Sequence, residues 1–339
     1  MEITIKDILK GTTVGNMQTV GIMQVIPLLS DIEFDGFVSP EENCEFSNNN
    51  YGNMQFKNNN TETMIIPAHV AYLTSQEAQD HGLPHAGLVK GKGSTSYNTA
   101  ACVQESQGGY VRGGNHKFTI MPFSIREIAL SKRSEHSYNK LWPAIRSFNQ
   151  TLGLRGHGHL EYFFKQFDQE LEQFVAEFET VHKQVGAIII INGKVAGVER
   201  APNYKYWKQL WKELVRGCYA SYALQVSKNK EVNEKDINKI RSAMNLNNIN
   251  SLDDLTTELN RTEKTQKNKV NNILKGFIND KFTVSNDEKL SNIQRQNVKN
   301  NQFAGQLVKD SEAIVYASII TTSNWFKNEK WHTAGDFSL

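Results

Sequence analysis

Amide, imidazole, thiol and carboxylate side chains crowd into one stretch of this chain, from Gln79 to Arg126: QDHGLPHAGLVKGKGSTSYNTAACVQESQGGYVRGGNHKFTIMPFSIR. Glycines run through it, and glycine lets backbone approach a ligand while short loops aim side chains at it. Gln79 and Gln104 carry amides that read hydroxyl or amide groups on a ligand. Glu105 offers a carboxylate, as a general base or a ribose contact, or as the ion-pair partner of Arg112 or Arg126. Arg126 carries the planar guanidinium suited to clamp phosphate or carboxylate, or to hold Glu105 in place. His81 and His85 stand at i,i+4, a spacing that on a helix makes a zinc pair. Gly82 and Pro84 lie between them and break that helix, so they read as hydrogen-bonding loop histidines that contact a ligand, and no metal is expected.

Other chemistry is a poorer fit. GLVKGKGST (87–95) has glycines and a lysine but not the GxxxxGK[ST] spacing of a phosphate loop, and reads as a hairpin turn. Cys102 sits in the apolar run 99–103, which favours a buried, inert thiol over an activated one. His157 and His159, in LRGHGHLEY, join two helical regions and read as exposed loop residues. No Ser-His-Asp constellation can be recognised from order alone, and no GxGxxG follows a strand.

The elements that must hold these groups change character along the chain. Residues 19–29 and 63–71 read as strands, and shorter strands follow around HAGLVKG, TAACVQES and HKFTIMPFS. Residues 31–62 read as a loose hairpin, and Ser75 as the cap of a helical turn over 76–79. After Ile125 helical spacing takes over: 138–153 with Pro143 in its first turn, then 160–181, with Phe164, Phe167, Leu171, Phe174 and Phe178 recurring on one face. VGAIIIINGKVAGVERA (185–201) is a hairpin whose Asn192-Gly193 turn is the type I′ signature. Residues 203–225 form a helix with Trp207, Leu210, Leu214 and Cys218 inward. Residues 228–305, rich in Lys, Asn, Asp and Glu, read as a polar helical insertion. Core composition returns at EAIVYASIITTS.

The 339 residues suffice for one large domain, and 39% hydrophobic content gives it a core. A net charge of +2 implies no strong field toward nucleic acid, and no run reaches the length of a membrane span. Three scattered cysteines, Cys44, Cys102 and Cys218, exclude a disulfide framework and fit a reducing cytoplasm. No cofactor can be named from the sequence.

Taken in order, VIPLL (25–29), the Gln79-Asp80-His81 cluster, ACVQES with its GGY turn, PFSIRE, Trp142, GAIIIINGKVAGVE and YWKQLWKELVRGCYASYAL resemble the ADP-ribosylglycohydrolase and rhodanese-phosphatase associated protein domain. Gln79, Cys102, Val103 and Arg126 match that pattern. Asp80 and His81 stand where Asn and Arg are usual, Gln104 where a glutamate lies, with Glu105 one place later. The likeness covers 19–225 and 306–339. It implies a nucleotide- or ADP-ribose-type ligand in a bacterial or phage conflict setting. The expected architecture is α+β: a mainly antiparallel sheet packed against helices, residues 1–227 and 306–339 as one domain, and 228–305 as a helical insertion. The functional expectation is a ligand site formed by Gln79, His81, His85, Gln104 and Arg126, with Glu105 as catalytic base. The alternative is a self-assembling interaction protein, in a phage particle or defence complex, without catalysis.

Overall fold

The computed structural model describes residues 2–48, 50–74, 79–105, 116–229 and 251–322. A ten-stranded antiparallel sheet organises them. Its order runs Ile3–Thr4, Lys281–Leu290, Ile293–Lys299, Phe303–Asp310, Ala313–Thr321, Lys194–Arg200, Gln184–Ile191, Met23–Leu29, Thr13–Val14, with Gln18–Val20 also pairing with Met23–Leu29. The Asn192-Gly193 turn has φ of +51° and +75°, which joins two right-twisted strands without splaying them. Three smaller sheets lie between residues 37 and 120. Their strands pair antiparallel except Phe37–Val38, which lies parallel to Thr63–Ile66.

Both faces of the central strands are buried, which explains the unbroken AIIII run. Along Gln184–Ile191, Ala187, Ile189 and Ile191 face one core, while Ile188 and Ile190 face another. The first core is closed by the small sheets, through Phe56, Met64 and Tyr72, and by the helix Tyr204–Glu213, through Tyr206, Trp207, Leu210 and Trp211. Asn203 caps that helix by accepting the Tyr206 N–H at 2.8 Å. The second core is closed by Ile5 and Ile8 and by the long helix Leu252–Phe277, which lays Val270 and Phe277 on the sheet. A third core holds Val103, Ile125, Ile145, Phe148, Leu160 and Phe163. It welds the chemistry-rich stretch to the helices Trp142–Thr151 and Glu161–Gln166.

Sequence and structure differ in instructive places. The helix expected over 160–181 divides at Phe167 into Glu161–Gln166 and Asp168–Glu177. The helix over 203–225 continues to Asn229 but passes through a π-helical turn, Leu214–Tyr219. Gly217 sits in that turn, where a Cβ would fall 2.1 Å from the Ile120 carbonyl oxygen, so no larger residue fits. The 228–305 block is not wholly helical. Leu252–Phe277 is a helix, but Lys281–Leu290 and Ile293–Lys299 are strands of the main sheet. Their polarity hid them: in Lys281–Leu290 only Phe282 is buried, so period-2 alternation is weak and partner pairing defines the strand. The expected turn over 76–79, Gln79 apart, the turns at 108–114 and the helical stretch 233–246 lie outside the described residues. No described helix is long and apolar enough to cross a membrane.

Candidate functional site

The six side chains singled out by the sequence do not meet in one hollow. Arg126 lies on the helix Phe123–Ser131 and is 0% exposed. Its NH1 donates to Glu199 Oε1 at 2.9 Å and to Cys218 Sγ at 3.0 Å, its Nε donates to His69 Nδ1 at 3.1 Å, and its NH2 donates to the Ser318 hydroxyl. Tyr219 completes the cluster by donating its hydroxyl to Glu199 at 2.6 Å. The π-helical turn aims Cys218 and Tyr219 here. Arg126 is therefore neither an accessible phosphate clamp nor the holder of Glu105. It is a buried cation that ties the helix to two strands of the main sheet.

Glu105 is held by a different arginine. Arg146 NH1 donates to its Oε1 at 2.6 Å, and the Gly158 N–H donates to its Oε2 at 2.8 Å. The Glu105 N–H in turn reaches the Gly158 carbonyl at 3.0 Å, and Gln104 forms a bridge with His159. Asn149 fixes the same loop by donating to the carbonyls of His157 and His159 at 2.9 and 3.0 Å. Both Glu105 oxygens are thus committed to docking the 157–159 loop. In this geometry Glu105 is held against Arg146 and the 157–159 loop and does not meet Arg126.

His81 and His85 are also enclosed. His81 is 1% exposed, its Nδ1 lies 2.6 Å from the Gln79 carbonyl, and its Nε2 lies 3.3 Å from Cys102 Sγ. Burial lowers the His81 pKa to about 4 and raises that of Cys102 to about 12, so the pair is a neutral imidazole beside a thiol. His85 Nε2 lies 2.7 Å from the Thr99 hydroxyl and its Nδ1 2.8 Å from Arg295 NH1. Burial and the Arg295 charge depress its pKa to about 3. Arg295 also pairs with Asp287 and Glu288 at 3.0 and 2.9 Å, so His85 locks the small sheets to the main sheet.

What the fold does bring together is Gln79, Asp80 and Gln104. Gln79 donates its amide to the Gln104 carbonyl at 2.8 Å, and Gln104 Oε1 accepts the Asp80 N–H at 3.2 Å. Asp80 is 0% exposed, and its Oδ1 accepts from the Thr74 N–H at 2.6 Å and the Thr74 hydroxyl at 3.1 Å. Its Oδ2 and the Gln79 Oε1 have no hydrogen-bond partner among the described residues. Burial raises the Asp80 pKa to about 7, with the Glu161 charge adding to the shift and the Thr74 donors opposing it. The Gln104 amide reaches toward Glu161 at 3.5 Å, and Glu161 pairs with Lys165 at 2.8 Å.

Lys165 opens onto a surface cleft of about 420 Å³ lined by Leu154, Arg155, Tyr162, Lys165 and Gln166. Tyr162 stacks on His159, with ring centroids 4.8 Å apart and planes 6° from parallel. The cleft supplies two cations and an aromatic face, and Gln104 and Glu161 link it to a carboxyl that holds its proton near neutrality. No group of metal-ligating side chains occurs among the described residues. Sequence reasoning named Gln79 and Gln104 but gave no part to Asp80, Glu161, Tyr162 or Lys165. The one signal for them was the Gly-His-Gly-His loop between two helices, which read as exposed.

The profile of the ARG and Rhodanese-Phosphatase-superfamily-associated Protein domain, ARPP-1, matches residues 11–319. The match runs through the 228–305 block, which the sequence resemblance had placed outside the family. It supports that domain family and not the wording of an ADP-ribosylglycohydrolase. No curated protein and no solved structure matches the chain.

Proposed function

The chain belongs to the ARG and Rhodanese-Phosphatase-superfamily-associated Protein domain family, and from that premise and the geometry around Asp80 we propose that it binds a nucleotide- or ADP-ribose-type ligand at the 154–166 cleft. The observation that carries the reading is a pair of buried oxygens, Gln79 Oε1 and Asp80 Oδ2, without hydrogen-bond partners among the described residues. Each buried, unsatisfied polar atom costs about 1–3 kcal/mol, which a bound partner would offset. A ligand hydroxyl reaching past Gln104 would donate to Gln79 Oε1 and accept from the protonated Asp80 Oδ2.

The remaining parts fit the same ligand class. Arg155 and Lys165 would hold phosphate, and Tyr162, stacked on His159, would carry a base. Asp80, protonated up to about pH 7, would donate a hydrogen bond or hand a proton to a leaving oxygen. Glu161 is the second carboxylate of the cluster, 19% exposed in its side chain.

Calorimetry with ADP-ribose and ADP, paired with thermal unfolding, tests the proposal. Binding by the wild-type chain should weaken at least about tenfold in Lys165→Ala, the loss of one phosphate contact worth about 1.4 kcal/mol. Asp80→Asn should keep ligand-induced stabilisation but lose any turnover. Absence of binding across a panel of nucleotides and sugar phosphates would end the proposal.

A further inference from the structure

A second cleft, of about 480 Å³, is larger than the one at 154–166 and shares no lining residue with it. The helix Phe123–Ser131 lines one side, with Glu127, Leu130 and Ser131 at i, i+3 and i+4 on one face, and Arg133 follows just past its end. Three neighbouring strands of the main sheet line the other side. Thr283 pairs with Lys299, Ser285 with Asn297, and Lys299 with Ala304, and residues directly opposite in a sheet point to the same face. The helix cannot drift from this sheet, because Arg126 ties it to Glu199 and Ser318.

Two amides of this lining have their orientation fixed by backbone donors. The Ala86 N–H donates to Gln306 Oε1 at 2.7 Å, and a backbone N–H can only donate. Gln306, 0% exposed, therefore turns its Nε2 to Asn297 Oδ1, at 2.7 Å. Asn297 must keep its oxygen toward Gln306, which leaves Nδ2 for the cleft that Asn297 lines. Asn300 is set in the same way, because its Oδ1 accepts the N–H groups of Gln302 and Phe303 at 2.9 and 2.7 Å. Neither Nδ2, nor the Lys299 ammonium, has a partner among the described residues.

Arg133 adds a guanidinium. Its NH1 donates to the Leu130 carbonyl at 2.9 Å and its Nε stands 4.0 Å from Asp287 Oδ2, so further donors remain. Glu127 is the one carboxylate among the described lining residues. With Glu127 in the lining and Asp287 beside Arg133, the cleft matches a single negative charge and not the several of a polyphosphate. No aromatic ring is among the described lining residues, so nothing here stacks on a base. Fixed amide donors, the hydroxyls of Thr283 and Ser285, and two cations suit a small ligand dense in hydroxyl groups that carries one carboxylate.

We propose that this cleft binds a sugar acid, a polyhydroxylated monocarboxylate. Arg133 and Lys299 supply the countercharge for its carboxylate, and the Asn297 and Asn300 amides donate to its hydroxyl oxygens. The site is separate from the proposed nucleotide cleft and stands whether or not that reading does.

Calorimetry on the full chain with gluconate and glucuronate, against glucose, acetate and glucose 6-phosphate, tests it. At least one of the two sugar acids should bind, at least about tenfold more tightly than glucose, which lacks the charge, or acetate, which lacks the hydroxyls. Asn297→Asp keeps an oxygen for Gln306 and exchanges only the donor, so its affinity should fall at least about tenfold. Lys299→Gln, a change at an exposed side chain, should also weaken binding, and it carries the test if Asn297→Asp fails to fold. Lys165→Ala, in the other cleft, should leave sugar-acid affinity within about twofold of the wild type. The proposal is overturned if neither acid binds the folded wild type, or if glucose or glucose 6-phosphate binds as tightly as the acids. It is equally overturned if the folded variants at Asn297 and Lys299 bind as the wild type does, or if Lys165→Ala abolishes binding.

Discussion

Replacing Arg126 by methionine removes a charge from a place that water does not reach. The Arg126 and Glu199 side chains are 0% and 1% exposed, and their ion pair spans 2.9 Å. In Arg126→Met, Glu199 keeps only the Tyr219 hydroxyl at 2.6 Å as a donor among the contacts described for it. Removing one partner of a buried pair costs about 3–5 kcal/mol, because the other charge stays behind without compensation. With an unfolding entropy of roughly 2.1 cal/mol/K per residue, a chain of 339 residues changes by about 0.7 kcal/mol per degree. The melting temperature should therefore fall by about 4–7 °C. Differential scanning calorimetry reads this directly, and urea unfolding gives an independent value. Arg126→Met/Glu199→Leu should recover a large part of the loss, since an apolar pair of similar volume often replaces a buried ion pair at little cost. A single-variant loss below about 1 kcal/mol, or a double variant no better than the single, refutes the reasoning. An arginine that instead served a ligand would show intact stability and lost affinity.

Three further outcomes are expected. Asp80 retains its proton to about pH 7 when folded, whereas the unfolded chain releases it near 3.8, so across that window unfolding sheds a proton and wild-type stability falls as pH rises. Asp80→Asn does not titrate, and should gain on the wild type by up to about 4 kcal/mol between pH 4 and 7.5; parallel stability profiles would contradict the assignment. Gly158→Ala brings a methyl to 3.0 Å from Glu105 Oε2 and 3.1 Å from Trp142 Cβ, so the loop must shift. A cost of about 1–3 kcal/mol in denaturant is expected, and a neutral result would mean the loop is not docked as described. Cys102 and Cys218 are 0% exposed, and burial raises both thiols to about 12. Iodoacetamide at pH 8 should leave them unmodified in the native chain and alkylate both in urea, as mass spectrometry would report; fast native labelling of Cys102 would show an open, activated thiol instead.

What the sequence determined by itself is local. The Asn192-Gly193 hairpin needs only two residues that accept positive φ and two β-branched flanks. The helices Trp142–Thr151 and Tyr204–Glu213 follow from apolar spacing, an early proline and an Asn203 cap. Burial of Cys102 and Cys218 likewise follows from their apolar neighbours. Chain order also carried the family resemblance, and it drew attention to Gln79 and Gln104.

What only the tertiary structure decided is long-range pairing. Arg126 and Glu199 stand 73 positions apart, and no local rule says that they meet, or that Arg146 rather than Arg126 takes Glu105. Lys281–Leu290 is a strand because Ile293–Lys299 pairs with it, not because its own residues alternate. Asp80 becomes a proton-holding carboxyl because packing strips water from it, and desolvation is a property of the whole surround rather than of neighbours in sequence. The position of a side chain along the chain gives its chemistry; how much water and which charges surround it are fixed only once distant segments close over it.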